Sequence, residues 1–248
     1  MDRPSVSVCM ATYNGAKYVR SQLESILAEL EPGDEVVVVD DDSTDDTVHV
    51  IEAIGDRRIH CHLNQCNRRE VYSFGRAMSL ARHEIILLSD QDDVWLPGRV
   101  ALMVAALTES RASLVSSNFE SMDGAGEPLT VDIDGVSASD SRRHSKNIWD
   151  IFRGRTNYYG CAMAFRRDLN RLVLPIPRFV ESHDLWIALA ANLARTNVHL
   201  DAKTLRKRQH GANVTGPVSW RRLSQKLWSR CVFAFSLAVL AGRRLARG

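Results

Sequence analysis

The sequence predicts an α/β fold built on a mixed, mainly parallel sheet with helices on both faces. Three features carry this. Apolar runs at 5–10 (SVSVCM), 35–39 (EVVVV) and 84–88 (EIILL) have the continuous hydrophobicity of strands buried on both sides. Each run ends abruptly in a polar or acidic cluster. Each cluster is followed by a stretch with helical spacing, so strand–loop–helix units repeat three times in about 110 residues.

The elements follow in order. The first strand breaks at Thr12-Tyr13-Asn14-Gly15, a turn cluster. Tyr18, Val19, Leu23, Ile26, Leu27 and Leu30 then mark a helix over 16–30, which Pro32-Gly33 ends. The second strand stops at Asp40-Asp41-Asp42, and Ser43 or Thr44 is expected to cap a helix running to about 54. A short strand at 59–63, a helix at 72–82 and the strand at 84–88 come next. Asp90-Gln91-Asp92-Asp93 closes that strand, and a helix is expected over 96–108 with Pro97 in its first turn. Beyond it, 113–119 and 157–166 read as strands and 123–128 as a turn. The polar stretch 132–146 reads as a mobile loop over the site. Ser182-His183-Asp184 opens an apolar helix over 185–193.

Composition narrows the class. Of 248 residues, 45% are hydrophobic and 25% charged, which excludes disorder and small disulfide scaffolds. The formal charge of +2 hides an asymmetry: the last 32 residues hold seven basic side chains and no acid, leaving 25 basic and 30 acidic residues in the body. An acidic body argues against nucleic acid as a partner. Five cysteines without C-x-x-C spacing fit a reducing compartment, and the N-terminus lacks the pattern of a secretory signal. A cytoplasmic chain is expected.

In open α/β sheets ligands bind beyond the carboxyl ends of the strands. Here those ends carry the Thr12, Asp40-Asp41 and Asp90–Asp93 clusters. Closely spaced carboxylates repel unless a cation joins them, so Asp90-Gln91-Asp92-Asp93 suits a hard divalent ion that also takes substrate phosphates. Capping of the next helix by Asp92 or Asp93 is the plainer alternative. Neither G-x-x-x-x-G-K-[ST] nor G-x-G-x-x-G occurs, so P-loop and dinucleotide readings fail.

Three segments, 5–15, 36–47 and 87–95, resemble in order and spacing the family-2 inverting glycosyltransferases, a group with the GT-A fold and a D-x-D metal motif. Gly160-Cys161, Ser182-His183-Asp184 and Arg208-Gln209-His210-Gly211 are similar to later motifs of bacterial rhamnosyltransferase-type members. The resemblance implies a metal-dependent transfer of a hexose, rhamnose in the first instance, from a dTDP- or UDP-sugar to a glycan or lipid-linked glycan of a surface polysaccharide such as lipopolysaccharide. It implies that Thr12, Tyr13 and Asn14 line the nucleotide pocket with the Tyr13 ring on the base, and that Asp40 and Asp41 contact base or ribose. Asp90 and Gln91 fall on the nucleotide-sugar, Asp92 on Mg²⁺ or Mn²⁺ with His210 joining it, and Asp184 is the general base. Ser182 or Asp184 as a helix cap is the plainer reading of that segment. This chain has Asp42 where the family commonly has Gly, and His183 where an acidic residue usually precedes the base. A non-catalytic nucleotide-sugar-binding or scaffold protein is the alternative, and a nucleotidyltransferase is disfavoured by the missing phosphate loop.

A domain over 1–216 and a basic helical tail over 217–248 are expected. Trp220, Leu223, Leu227, Trp228, Phe233, Phe235 and Leu237 among the seven cations fit an interfacial helix on an anionic membrane leaflet. Packing of that helix on the acidic body is the alternative. Trp149, Phe152, Tyr158 and Tyr159 could stack on sugars, though core packing is the commoner use of aromatic rings.

Overall fold

The computed structural model describes residues 3–130, 135–155, 158–210 and 223–246, with side chains of the last segment from Trp228 onward. In chain order the elements are β1 (Val6–Thr12), α1 (Val19–Leu27), β2 (Glu35–Asp40), α2 (Thr47–Glu52), β3 (Ile59–Leu63) and α3 (Arg69–Leu80). Then follow β4 (Ile85–Ser89), β5 (Val94–Trp95), α4 (Arg99–Ser110), β6 (Leu114–Met122) and β7 (Pro128–Leu129). The rest comprises α5 (His144–Arg153), β8 (Met163–Arg166), α6 (Asn170–Val173), α7 (His183–Ala194), β9 (Asn197–Arg208) and α8 (Leu223–Leu245).

One sheet runs in the order β3-β2-β1-β4-β8-β6-β9-β5, with β7 paired to β6. β1 to β4 pair in parallel, β8 is antiparallel to both β4 and β6, and β9 is parallel to β6. Two reversals restore the original direction, so β1, β2, β4, β6 and β9 all end at one edge. That edge collects Thr12, Asp40, Asp90–Asp93, Asp123 and Lys207–His210, with the start of β8 between them.

Alternation along the strands divides the core in two. Cys9, Val37, Val39, Ile86 and Leu88 face α3, α5, α7 and α8, while Val8, Met10, Val36, Val38 and Leu87 face α1, α2 and α4. All six β2 residues are buried, as the unbroken apolar run predicts. The fold class read from the sequence holds.

Several boundaries are corrected. α1 is shorter than expected, because 15–18 form a turn that ties it to the first loop. α2 begins at Thr47, not after Ser43 or Thr44: Ser43 turns back to Asp40, and the Asp45 carboxylate takes the Thr47 N–H. α4 begins at Arg99, since Val94–Trp95 pair with β9 and Gly98 supplies a left-handed turn at φ 82°. Asp92 and Asp93 therefore do not cap it. The 135–146 part of the expected mobile loop is fixed to β6 and β9, through Val136 on Asn118, Ala138 on Asp201 and Ser141 on His199. α5 and most of β9 were not expected.

The boundary expected at 216 lies outside the described residues, as do Trp220, Arg221 and Arg222 and the side chains of Leu223, Lys226 and Leu227. From Trp228 onward α8 packs on the body. Leu240 is fully buried and Phe233 and Leu237 join the core of α3, α5 and α7. Arg243 donates to the carbonyls of Leu172, Val173 and Pro175, and Arg244 to that of Leu193. No helix among the described residues is long and apolar enough to cross a membrane. Leu240→Ala is expected to cost about 2–5 kcal/mol, read as a lower urea midpoint at unchanged slope. An unchanged midpoint would mean that α8 stands apart from the body.

Candidate active site

The first wall is made by the loops after β1 and β2. Asn14 adopts φ 48°, its N–H reaches Ser43 Oγ at 2.9 Å, and its Oδ1 accepts the Thr44 N–H at 2.8 Å. Asp40 accepts from Thr12 Oγ1 at 2.8 Å and from the Ser43 N–H and hydroxyl at 2.9 and 2.6 Å. Asp41 accepts from Asn64 Nδ2 at 2.6 Å and from the Arg68 N–H at 2.9 Å. Both carboxylates are buried, so in this structure they hold the loop. Asp42, standing where the family has Gly, takes φ 66°. Aspartate tolerates the left-handed region better than most side chains, which is how the turn survives the exchange. The Tyr13 side chain stays 46% exposed on the rim, open to a flat ligand.

Gln91 clamps this wall to the loop after β4. Its Oε1 accepts the Tyr13 N–H at 2.9 Å and its Nε2 donates to the Tyr13 carbonyl at 3.1 Å. The amide lies directly over Gly15, where a Cβ would come within 2.2 Å of Oε1. A larger residue at 15 would have to push the Gln91 amide aside and open the clamp.

The acidic loop itself is balanced by the end of β9. Lys207 Nζ sits 3.0 Å from Asp90 Oδ2 and 3.7 Å from Cys161 Sγ. Burial works against the Asp90 carboxylate, yet the Lys207 ammonium holds its pKa below the ordinary value. Asp92 Oδ2 meets His210 Nε2 at 2.8 Å, and burial, with the Asp90 charge behind it, raises its pKa. Asp93 Oδ1 accepts the Arg208 N–H at 3.0 Å, while its buried Oδ2 has no partner among the described residues. Burial pushes its pKa up to about 7. His210 stacks on Tyr18 at 5.0 Å, and the Arg208 guanidinium covers the same ring at 4.8 Å.

Two donor sets could be considered for a cation. Asp90, Asp93 and Cys161 bring their ligand atoms within 4.8 Å of one another, but the Lys207 ammonium already lies against two of the three. Asp92 Oδ2 and His210 Nε2 lie 2.8 Å apart as a hydrogen-bonded pair, a carboxylate oxygen and an imidazole nitrogen that would have to part from each other to ligate an ion. An O/N pair of this kind fits Mg²⁺ or Mn²⁺ completed by diphosphate and water.

The opposite wall comes from α7 and the turn before β8. Ser182 caps α7 by accepting the Leu185 N–H at 3.2 Å. Asp184 Oδ1 accepts from that same N–H at 2.7 Å and from the Ser182 hydroxyl, so Oδ2 is left without a partner among the described residues. His183 stacks on Phe74 at 4.0 Å, and its buried Nε2 has no hydrogen-bond partner among the described residues. Gly160 lies between: a Cβ there would fall 2.7 Å from His183 Nε2 and 3.6 Å from Asp184 Cβ.

The structure thus brings Thr12, Tyr13, Asn14, Asp40, Asp41, Asp90, Gln91, Asp92 and His210 to one sheet edge, with Asp184 reached across Gly160 and Cys161. Sequence reasoning missed Lys207, Arg208, Tyr18 and the packing role of Gly160. Lys207 and Arg208 directly precede Gln209-His210, so recognising β9 as a strand would have aimed them at the acidic loop. Of the aromatic candidates, Tyr159 borders the site, edge-on to Phe119 and 5.8 Å from the Lys207 ammonium. Tyr158 is core, bonded to His199 and Asn197, and Trp149 and Phe152 lie on α5.

Gly160→Ala is expected to lower stability by about 1–3 kcal/mol through overpacking, and His183→Ala in the same chain should recover most of it. Lys207→Met should cost about 3 kcal/mol, the low end for a broken buried pair because Asp90 keeps some water. Adding Asp90→Asn should return part of that loss in a double-mutant cycle followed by urea unfolding. Strict additivity would show that the two groups do not interact.

Comparison with known proteins bears on the family and the fold. The model of glycosyl transferase family 2 matches residues 7–173. The dTDP-rhamnosyl transferase RfbG of Shigella flexneri is 24% identical over 237 residues, 86% of this chain and 78% of its own. The Escherichia coli β-1,3-glucosyltransferase WfgD, named for UDP-Glc and an α-D-GlcNAc-diphosphoundecaprenol acceptor, is 26% identical over 120 residues, 48% of this chain and 47% of its own. The chain spans about half the length of WfgD and of a Nostoc glycosyltransferase that it also matches. Among solved structures, S. aureus TarS in complex with UDP-GlcNAc has a TM-score of 0.69 at 20% identity, covering 98% of this chain and 73% of TarS. The Pyrobaculum calidifontis mannosyltransferase PcManGT, with GDP-Man and Mn²⁺, has a TM-score of 0.64 at 18% identity, covering 100% of this chain and 77% of its own. Those likenesses establish the GT-A architecture, and the family match, which takes in two thirds of the sequence and all three carboxylate-bearing strand ends of the first half, makes this chain a member of glycosyl transferase family 2.

Proposed function

We propose that the chain is an inverting, metal-dependent hexosyltransferase acting from a nucleoside diphosphate sugar on a lipid-linked glycan in surface polysaccharide synthesis, on the cytoplasmic side of the membrane. The observation that carries this is the placement of Asp90 and Asp92 at the end of β4, with His210 at Asp92 and Asp184 beside Gly160, whose neighbour Cys161 lies against the Lys207 ammonium paired with Asp90. A dTDP- or UDP-linked donor is favoured by the activities for which RfbG and WfgD are named, and rhamnose by RfbG. The undecaprenol-linked acceptor of WfgD supports the acceptor class.

In this reading the Tyr13 ring stacks on the base, while Thr12 and Asn14, fixed by Asp40 and the Ser43–Thr44 turn, shape the pocket around it. Asp41 sets the floor through Asn64 and Arg68. Asp90 and Gln91 face ribose and sugar. Asp92 and His210 hold Mg²⁺ or Mn²⁺, a fit to which the Mn²⁺ in PcManGT adds support. When bound, the ion neutralises charge that develops on the departing diphosphate. Asp184 Oδ2 takes the proton of the acceptor hydroxyl as its oxygen attacks the anomeric carbon. The bond from that carbon to the diphosphate breaks, the nucleoside diphosphate leaves, and the anomeric centre inverts. The Ser182 hydroxyl and the Leu185 N–H hold Asp184 Oδ1, so Oδ2 is aimed before the acceptor arrives.

Calorimetry with nucleoside diphosphate sugars, with and without Mn²⁺, tests the assignment. Asp92→Asn is expected to abolish the metal-dependent part of donor binding. Asp184→Asn should bind donor as the wild type does and lose about 10²–10⁴-fold in transfer, the usual contribution of a positioned base. Normal turnover by both variants would overturn the site.

A further inference from the structure

The outward face of α8 is apolar. A helix lying on a globular body ordinarily presents polar residues to water and apolar ones to the core. Here the core side is taken by Phe233, Leu237 and Leu240, while Trp228, Cys231, Phe235, Ala238 and Leu245 recur on the other side at intervals of three, four and seven. Trp228 is 63% exposed, Phe235 57% and Leu245 85%. No charged residue occurs between Arg230 and Arg243. α8 is not long and apolar enough to cross a bilayer, and among the described residues only the Phe179 ring, 4.8 Å from Phe235, is in ring contact with this face.

A second element adjoins α8 through the core-side Phe233. Trp149 on α5 is 55% exposed and stacks on Phe152 at 5.4 Å, and Phe152 meets Phe233 of α8 edge-on at 6.4 Å. The surroundings are cationic. The Arg153 guanidinium lies 5.9 Å from the Trp149 ring centre and that of Arg230 lies 5.8 Å from Phe152, while Arg244, exposed although it donates to the Leu193 carbonyl, marks the far end. α8 carries no acid, and the one acid of α5, Asp150, is paired with Lys146 at 2.8 Å.

We propose that this joint α5–α8 face seats on an anionic lipid surface, with Trp149, Trp228 and Phe235 at headgroup depth and the arginines among the phosphates. Tryptophan with arginine and no acid is the chemistry of an interfacial helix. A second copy of the chain fits less well, because two-fold pairing of this face would set its arginines against one another. The face differs from the tail expected from sequence: Phe233, Leu237 and the Arg243 guanidinium are spent on the body, and α5 supplies Trp149, one of the three exposed rings. It also leads to the site. Phe179 contacts Phe235 at 4.8 Å and Trp186 at 6.5 Å, and Trp186 belongs to the helix whose first turn bears Asp184. A lipid-linked acceptor would then arrive on the Asp184 side, a consequence that rests on the proposed function, whereas lipid seating does not.

The test is flotation of the full chain with vesicles of phosphatidylcholine containing phosphatidylglycerol, against phosphatidylcholine alone, at low and high salt. Binding is expected only with phosphatidylglycerol, weakened by salt, with a blue shift of tryptophan emission. The Trp228→Ser/Phe235→Ser variant should bind about tenfold more weakly or worse, while keeping its circular dichroism and its transfer to a soluble acceptor without vesicles. Absence of wild-type binding, equal binding by the variant, or a stable dimer whose formation needs Trp228 and Phe235 would each overturn the proposal. Loss of transfer with lipid binding intact would instead count against the catalytic reading alone.

Discussion

Lys207 is the counter-charge on which the carboxylate edge depends. Asp90, Asp92 and Asp93 stand within four residues at the end of a buried strand, where their mutual repulsion is poorly screened. The ammonium beside Asp90, the backbone of Arg208 on Asp93 and the imidazole of His210 on Asp92 arrive from the last two residues of β9 and the short segment just after it. β9 can deliver them because it runs twelve residues beside β6 and ends at the same edge as β4. The reversal through β8 is therefore what brings cations from the end of the domain onto acids from its middle.

Burial explains a second property of that edge. Arg99, fully within the core under the acidic loop, donates to the Cys161 carbonyl and to Thr204 and stacks on Trp95 at 4.6 Å. Burial pulls its pKa down to about 10, still far above neutrality, so it remains a cation beneath the carboxylates. The short β5 pairing with β9 is held over this arginine. Positive charge thus supports the loop from below and from the side.

The first half of the fold was legible because its strands are buried on both faces and its helices carry a clear period. EVVVV can hardly be anything but an inner strand. β9 was not, because NVHLDAKTLRKR alternates imperfectly and four of its buried residues are polar: Asn197, His199, Thr204 and Arg208 donate to or pair with partners inside rather than avoiding burial. α5 hid for a similar reason, with His144 and Asn147 buried against Asn192. The site followed the same division. Residues on abrupt strand ends could be read directly, while Lys207 and the Gly160–His183 contact depend on tertiary approach, which spacing does not encode. The aromatic tail was legible as unusual, with packing on the body as one of its two readings, but composition cannot say which face of a helix finds the body.

The clamp of Gln91 on Tyr13, seated over Gly15, joins the nucleotide-side loop to the acidic loop as one body. Neither can swing away without breaking two hydrogen bonds at once and leaving a polar side chain stranded against a bare Cα. Under the proposed function, the half of the pocket that grips the leaving group is then a fixed plate. Discharge of the spent nucleotide has to proceed by displacement of the facing parts, and the pace of turnover would be governed by the freedom of the His210 and Asp184 sides rather than by the plate itself.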